Sequence, residues 1–291
     1  MPTEVPCTAC GWTTRCQESC NYNSHVKLFY GVSDRGVWSI GTKWIVKERS
    51  NNSPPNFEAQ NIRFLQSNTT IPVPTILDES SETDESHIIL MKRIHGATLK
   101  AVWVNMSTAE RDHVASQTAE CLAQLRQLHA DRVGGLDNQP IYSAFLFRNG
   151  YGLPHGPISS DDQLWYEMSK GLHGLLDETV RRLRARMPPA TPYTFTHGDL
   201  SLENIIVKEG KLAGIVDWES SGYFPVWWEF VSTGISLGPD DLEWKSLLQK
   251  HMEKHTEAYE FWRDYYSLSK YPDLDDRGTN LLRELESGDN S

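Results

Sequence analysis

Short apolar runs come first along this chain and long periodic ones follow. From His25 to about Gly96 the pattern predicts short strands with one helix. Val37-Trp38-Ser39-Ile40 and Lys43-Trp44-Ile45-Val46-Lys47 are rich in aromatic and β-branched residues, and turn formers punctuate them at Ser33-Asp34-Arg35-Gly36 and Gly41-Thr42. After Pro54-Pro55, Phe57, Ile62 and Leu65 lie among good helix formers, which predicts a helix starting near Asn56 and broken by Ile71-Pro72-Val73-Pro74. Asp78 to Glu85 reads as a polar acidic loop and His87 to Met91 as a buried strand. From Thr108 the period becomes helical. Val114, Thr118, Cys121, Leu122, Leu125 and Leu128 recur at spacings of three and four, predicting a helix to about His129 behind a cap at Ser107-Thr108-Ala109-Glu110. Residues 133–160 read as an extended connection, and Asp161 to Met187 as a second helical stretch ended by Pro188-Pro189. Two apolar runs, Asn204 to Val207 and Leu212 to Val216, flank Lys208-Glu209-Gly210-Lys211 and predict a hairpin. From Asp240 onward the chain reads as mostly helical, with its last dozen residues frayed. Strands followed by helices give an α+β plan of two lobes sharing a cleft. The divisions are a segment over 1–24, an N-lobe over 25–96 and a C-lobe over 97–291.

Composition narrows the function. With 38% hydrophobic and 10% aromatic residues the chain has the material for a sizeable core. Lys and Arg number 28 against 39 Asp and Glu, a net charge of −11, which argues against a nucleic-acid partner. No run of 18 apolar residues offers a membrane span, and the first ten residues lack the pattern of a secretory signal, so the expected compartment is the cytoplasm. Four cysteines, Cys7, Cys10, Cys16 and Cys20, crowd the N-terminal segment. They read either as a tight Zn2+ site or as unligated thiols, while Cys121, inside a helical pattern, reads as packing. Nothing in the sequence speaks to oligomeric state.

The chemistry concentrates in Thr196-His197-Gly198-Asp199-Leu200-Ser201-Leu202-Glu203-Asn204, followed by Ile215-Val216-Asp217-Trp218-Glu219. A tight hairpin after Asn204 returns the chain beside itself, so Asp217 comes near Asn204. Such oxygen ligands suit Mg2+, which takes one or two protein carboxylates plus phosphates and waters. Asp199, on the preceding loop, is placed to accept a hydroxyl proton. A metal that neutralises phosphate charge beside a carboxylate that orients a hydroxyl is the arrangement phosphoryl transfer requires.

These residues, with Gly222-Tyr223-Phe224-Pro225 and Trp228-Glu229, resemble the aminoglycoside phosphotransferase/choline-kinase-like family of small-molecule kinases, in versions found among fungal members. The likeness runs from about residue 25 to 265 and is concentrated between Thr196 and Glu229. It implies a protein-kinase-like two-lobe fold, with a small mainly β N-lobe and a larger mainly helical C-lobe. It also implies transfer of the ATP γ-phosphate, with Mg2+, to a hydroxyl of a small-molecule acceptor. By position, Asp199 matches the catalytic base, Asn204 and Asp217 the magnesium ligands, and His197 the histidine that supports the catalytic segment. Lys47 matches the lysine on the nucleotide phosphates and Glu58 its ion-pair partner. Met91 and Ile94, where the strand runs into Lys92-Arg93-Ile94-His95-Gly96, match the hinge that holds adenine.

The residues alone leave other readings open. Lys47 ends a predicted strand, where lysine also serves as an edge guard, and Glu58 is a carboxylate favoured at a helix start. Gly31 to Gly36 is not the glycine-rich phosphate loop of kinases. A kinase-fold scaffold with little turnover, or a kinase fold recruited for other chemistry, therefore stands beside the enzyme. Glu219, Glu229, Asp240, Asp241 and Glu243 either attract a cationic acceptor or form a solvated acidic surface.

Overall fold

Alternation of apolar and polar positions builds the N-terminal layer. A computed structural model describes residues 26–32, 35–50, 55–83 and 86–287. Strands β1 (Val26–Val32), β2 (Arg35–Ile40), β3 (Trp44–Ser50), β4 (Thr75–Thr83) and β5 (Ser86–Lys92) form one antiparallel sheet in the order β1-β2-β3-β5-β4. Helix α1 (Glu58–Asn68) covers one face, where its Ala59 packs on Ile45, Ile89 and Met91. It starts two residues later than expected, because Asn56 uses its side chain to accept the Glu58 amide proton at 2.8 Å.

The expected acidic loop over Asp78 to Glu85 is a correction, since β4 runs to Thr83. As the outer strand of the sheet, β4 tolerates charge, and its Glu79 is held by Arg63 at 2.5 Å and His87 at 3.0 Å. Lys47 is a second correction to the edge-guard reading. It lies in the middle of β3, at the centre of the sheet, where a lysine needs partners.

Beyond the sheet, β6 (Ala97–Thr98) and α2 (Leu99–Val102) lead into α3 (Thr108–Leu125), which opens with the predicted capping box of Ser107 and Glu110. Helix α3 stops short of His129. His129–Ala130 is instead strand β7, drawn onto β8 (Tyr193–Thr196), and the adjoining Leu128 carbonyl accepts from Phe195 N at 3.0 Å. The stretch over 161–187, expected as one helix, is two: α4 (Asp161–Ser169) and α5 (Asp177–Arg184). Glycines divide them. Gly174 takes φ +79°, and a Cβ on Gly171 would lie 2.6 Å from the Arg148 side chain.

The hairpin forms as expected from β9 (Ile205–Lys208) and β10 (Lys211–Ile215). Glu209 and Gly210 take φ of 54° and 73°, the positive pair that a two-residue turn matching the strand twist requires. β6, β9 and β10 make one small sheet, and β7, β8 and β11 (Gly222–Pro225) another. The remainder is helical: α6 (Trp228–Ser232), α7 (Pro239–His251), α8 (Thr256–Leu268) and α9 (Asp276–Ser287). The frayed C-terminus is corrected too, because α9 runs to Ser287 and buries Leu281 and Leu285. Cys7, Cys10, Cys16 and Cys20 lie outside the described residues. Among the described residues no helix is long and apolar enough to cross a membrane.

One buried cluster joins the two layers. Ile62 and Leu65 of α1 share it with Phe195, Leu202, Ile215 and Trp218, beneath the β8–β9 loop. Cys121 is part of it, a packing residue whose thiol burial pushes up to about 11. Phe224, Trp227 and Trp228 belong to the second cluster with Phe261 and Trp262 of α8. Most of the aromatic run after Asp217 is therefore core.

Candidate active site

Strand β8 is buried along its whole length and delivers the chain to His197. Gly198 then takes φ +84°, a backbone state that side chains strain, and the loop turns toward Asp199. Two fasteners fix this turn. Glu229 of α6 accepts the His197 amide at 2.6 Å and the Gly198 amide at 3.2 Å. The His197 ring, fully buried, lies with Nε2 3.0 Å from the Val216 carbonyl, while its Nδ1 accepts the Asp199 amide at 3.2 Å. With Nδ1 accepting and Nε2 donating, the ring is neutral, and burial keeps its pKa below the usual histidine value. Both nitrogens are committed, so His197 holds the loop and has none left to move a substrate proton.

Asn204 closes the loop. Its Nδ2 donates to the Asp199 carbonyl at 2.8 Å and to the Asp199 carboxylate at 3.2 Å. Its carbonyl accepts the Val216 amide at 2.9 Å, which sets Asn204 opposite the residue before Asp217. The hairpin thus brings together the two residues that the sequence separates by thirteen positions. Asp217 sits in the left-handed region at φ 65°, where an aspartate is among the few residues tolerated.

The opposite wall of the cleft comes from the sheet. Lys47 Nζ lies 2.8 Å from each Glu58 oxygen and 2.7 Å from Asp217 Oδ1. Burial disfavours charge on Lys47, but Asp217 and Glu58 outweigh it and raise its pKa. Burial likewise opposes charge on Asp217, and Lys47 more than offsets it, so Asp217 is held below its usual range. Glu58, 1% exposed, is lifted by burial to about 7 against the pull of Lys47. Met91 is buried in β5 beside Ile45 of β3. Ile94 lies just beyond, over Gly214 of the hairpin, where a Cβ would come 2.4 Å from its methyl group. The structure therefore joins Lys47 to Glu58 and Asp217, and Asn204 to Asp199, and the Asn204–Val216 backbone bond sets the two groups side by side.

Other contacts escaped sequence reasoning. Asn61 of α1 donates to the Trp218 carbonyl at 2.9 Å and the Ser221 carbonyl at 3.3 Å. Arg35 and Arg49 grip Glu219 at 2.5 and 3.1 Å. Of the acidic set, Glu229 accepts loop amides, Asp241 meets Lys245 at 3.0 Å and Glu243 meets Arg111 at 2.8 Å, while Asp240 is exposed. A signal for Glu229 existed: an acid inside an aromatic run has to be paired once buried.

The donor chemistry fits magnesium. One Asp217 oxygen is taken by Lys47, leaving the other, and Asn204, with its Nδ2 committed, offers its Oδ1. These are hard oxygen donors on one side of a cleft, with a carboxylate beside them. Two protein oxygens would leave the rest of a magnesium shell to phosphate oxygens and waters.

Glu229 gives this site a pH dependence. Burial raises its pKa to about 7, although the two amides pull it down. Only the carboxylate accepts both amides well, so turnover should rise as pH passes about 7. Stability should run the other way. The folded protein holds this proton more tightly than the unfolded chain, so the Glu229 contribution declines as pH rises from the ordinary glutamate value of about 4.5 to about 7. Glu229→Gln should slow turnover by about tenfold or more and abolish that limb of the pH–rate profile. An unchanged limb assigns it to another group.

Comparison with known proteins bears on the fold and the family. No curated protein matches the chain. Among solved structures, the streptomycin–ATP ternary complex of APH(2")-IIa superposes with a TM-score of 0.53 at 16% identity, covering 91% of each chain. The GDP complex of wild-type aminoglycoside 2'-phosphotransferase-IIIa gives 0.56 at 13%, covering 92% of this chain and 94% of that one. Aminoglycoside phosphotransferase APH(4)-Ia gives 0.56 at 12%, covering 91% of each. At such identities the likeness shows the fold, a protein-kinase-like pairing of an antiparallel N-lobe sheet with a helical C-lobe. The model of the phosphotransferase enzyme family matches residues 30–265, most of the sequence, and the chain belongs to that family.

Proposed function

We propose that the protein transfers the γ-phosphoryl group of ATP to a hydroxyl of a small molecule. The observation that carries this is the adjacency of two bonded pairs, Lys47 with Asp217 at 2.7 Å and Asn204 with Asp199 at 2.8 and 3.2 Å, linked by the Asn204 carbonyl that accepts the Val216 amide. In this reading residues 25–96 supply the nucleotide side and residues 97–291 the catalytic loop and acceptor side. Asp199 orients the acceptor hydroxyl and takes its proton as the new P–O bond forms and the bond to the ADP oxygen breaks. Lys47, kept charged by Glu58 and Asp217, binds the nucleotide phosphates. Met91 and Ile94 border the adenine. Asn204 and Asp217 would hold Mg2+, which neutralises charge on the phosphates when bound. Glu229 and His197 keep the loop in one shape, so positioning is prepaid before substrate arrives. The structural neighbours whose names include ATP, GDP and streptomycin support a nucleotide and a small hydroxylated acceptor. An intact Lys47–Glu58–Asp217 set favours turnover over a scaffold role.

The test is transfer of label from γ-labelled ATP into pools of hydroxylated small molecules. A labelled organic phosphate, formed only with Mg2+, supports the assignment. Label that moves to protein side chains and to no small molecule contradicts it.

A further inference from the structure

The contact between sheet and hairpin is a ladder with two rungs. Lys47 of β3 meets Asp217, and two residues further along each segment Arg49 meets Glu219. Arg35, directly opposite Arg49 in the β2–β3 register, shares the second rung. Two guanidinium groups thus rest on one carboxylate. Arg49 is 8% exposed, and its Nε is buried without a hydrogen-bond acceptor. A buried, half-satisfied arginine is costly unless an anion completes its partners.

The register gives the second rung a direction. Along β3, Ile45 pairs with Met91, Lys47 with Ile89 and Arg49 with His87. Moving from Ile45 through Lys47 to Arg49 leads away from Met91, the adenine end, and past the lysine that meets the phosphates. Arg35 stands at the start of β2, beyond that lysine, on the same side.

Resting on the phosphotransferase reading above, we infer that Arg49, with Arg35, binds the terminal phosphoryl group during its transfer, and that Glu219 is the counter-ion that holds both arginines until the nucleotide arrives. The arginines exchange the Glu219 carboxylate for phosphoryl oxygens. The P–O bond to ADP breaks and that to the acceptor oxygen forms, while negative charge on the equatorial oxygens is met by planar, permanently charged donors. Lys47 serves the inner phosphates and the second rung the outer one.

The experiment compares calorimetric binding of Mg·ATP, as its non-hydrolysable imido analogue, with Mg·ADP. Wild type, Arg49→Gln, Arg35→Gln and Glu219→Gln are used, each first checked by thermal melting. Loss of one charge-assisted contact to the terminal phosphate should weaken the triphosphate by about tenfold in Arg49→Gln, and leave Mg·ADP within about twofold. Arg35→Gln should follow in the same sense, and it covers the case in which Arg49→Gln fails to fold. Glu219→Gln, which frees both arginines, should tighten the triphosphate relative to Mg·ADP. Equal weakening of both nucleotides, or no change in either, overturns the assignment and leaves the rung as a brace between sheet and hairpin. Wild-type protein that binds neither nucleotide overturns the reading of the cleft itself, and the arginine assignment with it.

Discussion

Asp199→Asn should lower turnover by about 10²–10⁴-fold and leave Mg·ATP affinity within about twofold, the range expected when a general base is lost without the binding groups. The reasoning is local. Asp199 is reached by the Asn204 side chain at its carbonyl and at one carboxylate oxygen, at 2.8 and 3.2 Å. Its amide is fixed by His197. The substitution keeps the size and the backbone contacts but removes the carboxylate that accepts the hydroxyl proton in the proposed reaction. Some rate should survive, because in the proposed reaction charge stabilisation by Lys47, and by a cation held on Asn204 and Asp217, would not depend on Asp199. Steady-state kinetics settle the matter: turnover equal to wild type removes the general-base role. A parallel loss of nucleotide binding would mean that the loop has moved.

Lys47→Ala should affect catalysis and stability together. Lys47 is the only cation bonded to both Glu58 oxygens among the described residues, and Glu58 is 1% exposed. Removing one partner of a buried pair costs about 3–5 kcal/mol, because the other charge stays buried and unpaired. Glu58 escapes part of this by taking up a proton, since burial has already lifted its pKa to about 7 with Lys47 present. The folded variant then holds that proton more tightly than the unfolded chain does, so the lost stability grows as pH rises. Urea unfolding at pH 5.5 and pH 8 should show a clearly larger loss at pH 8. Nucleotide affinity should fall at both pH values. A loss independent of pH would mean that Glu58 stays ionised in the variant.

The hairpin and most of the sheet were legible in the sequence because each is dictated locally. Glu209-Gly210 supplies the positive φ pair of a two-residue turn, and the flanking apolar runs set the pairing that carries Asp217 to Asn204. The family likeness added Lys47 and Glu58, and burial made their pairing necessary. What could not be read depended on partners remote in sequence. β4 is a strand because β5 pairs with it and Arg63 and His87 hold its Glu79, although its composition is that of a loop. His129 leaves the helix because β8 offers it a ladder. The break after α4 turns on the Arg148 side chain, which a Cβ on Gly171 would meet. Glu219 and Glu229 looked like bait for a cationic acceptor. They are bound instead to two arginines and to two loop amides, 184, 170, 32 and 31 residues away. No periodicity encodes such distances.

The most direct measurement is calorimetric titration of ATP into wild type, Asn204→Ala and Asp217→Asn, with Mg2+ and with chelator. Saturable binding that needs Mg2+ in wild type, and that weakens by about tenfold or more in each variant, is the predicted result. Nucleotide binding indifferent to the cation, or to both substitutions, would show that Asn204 and Asp217 do not meet on one metal.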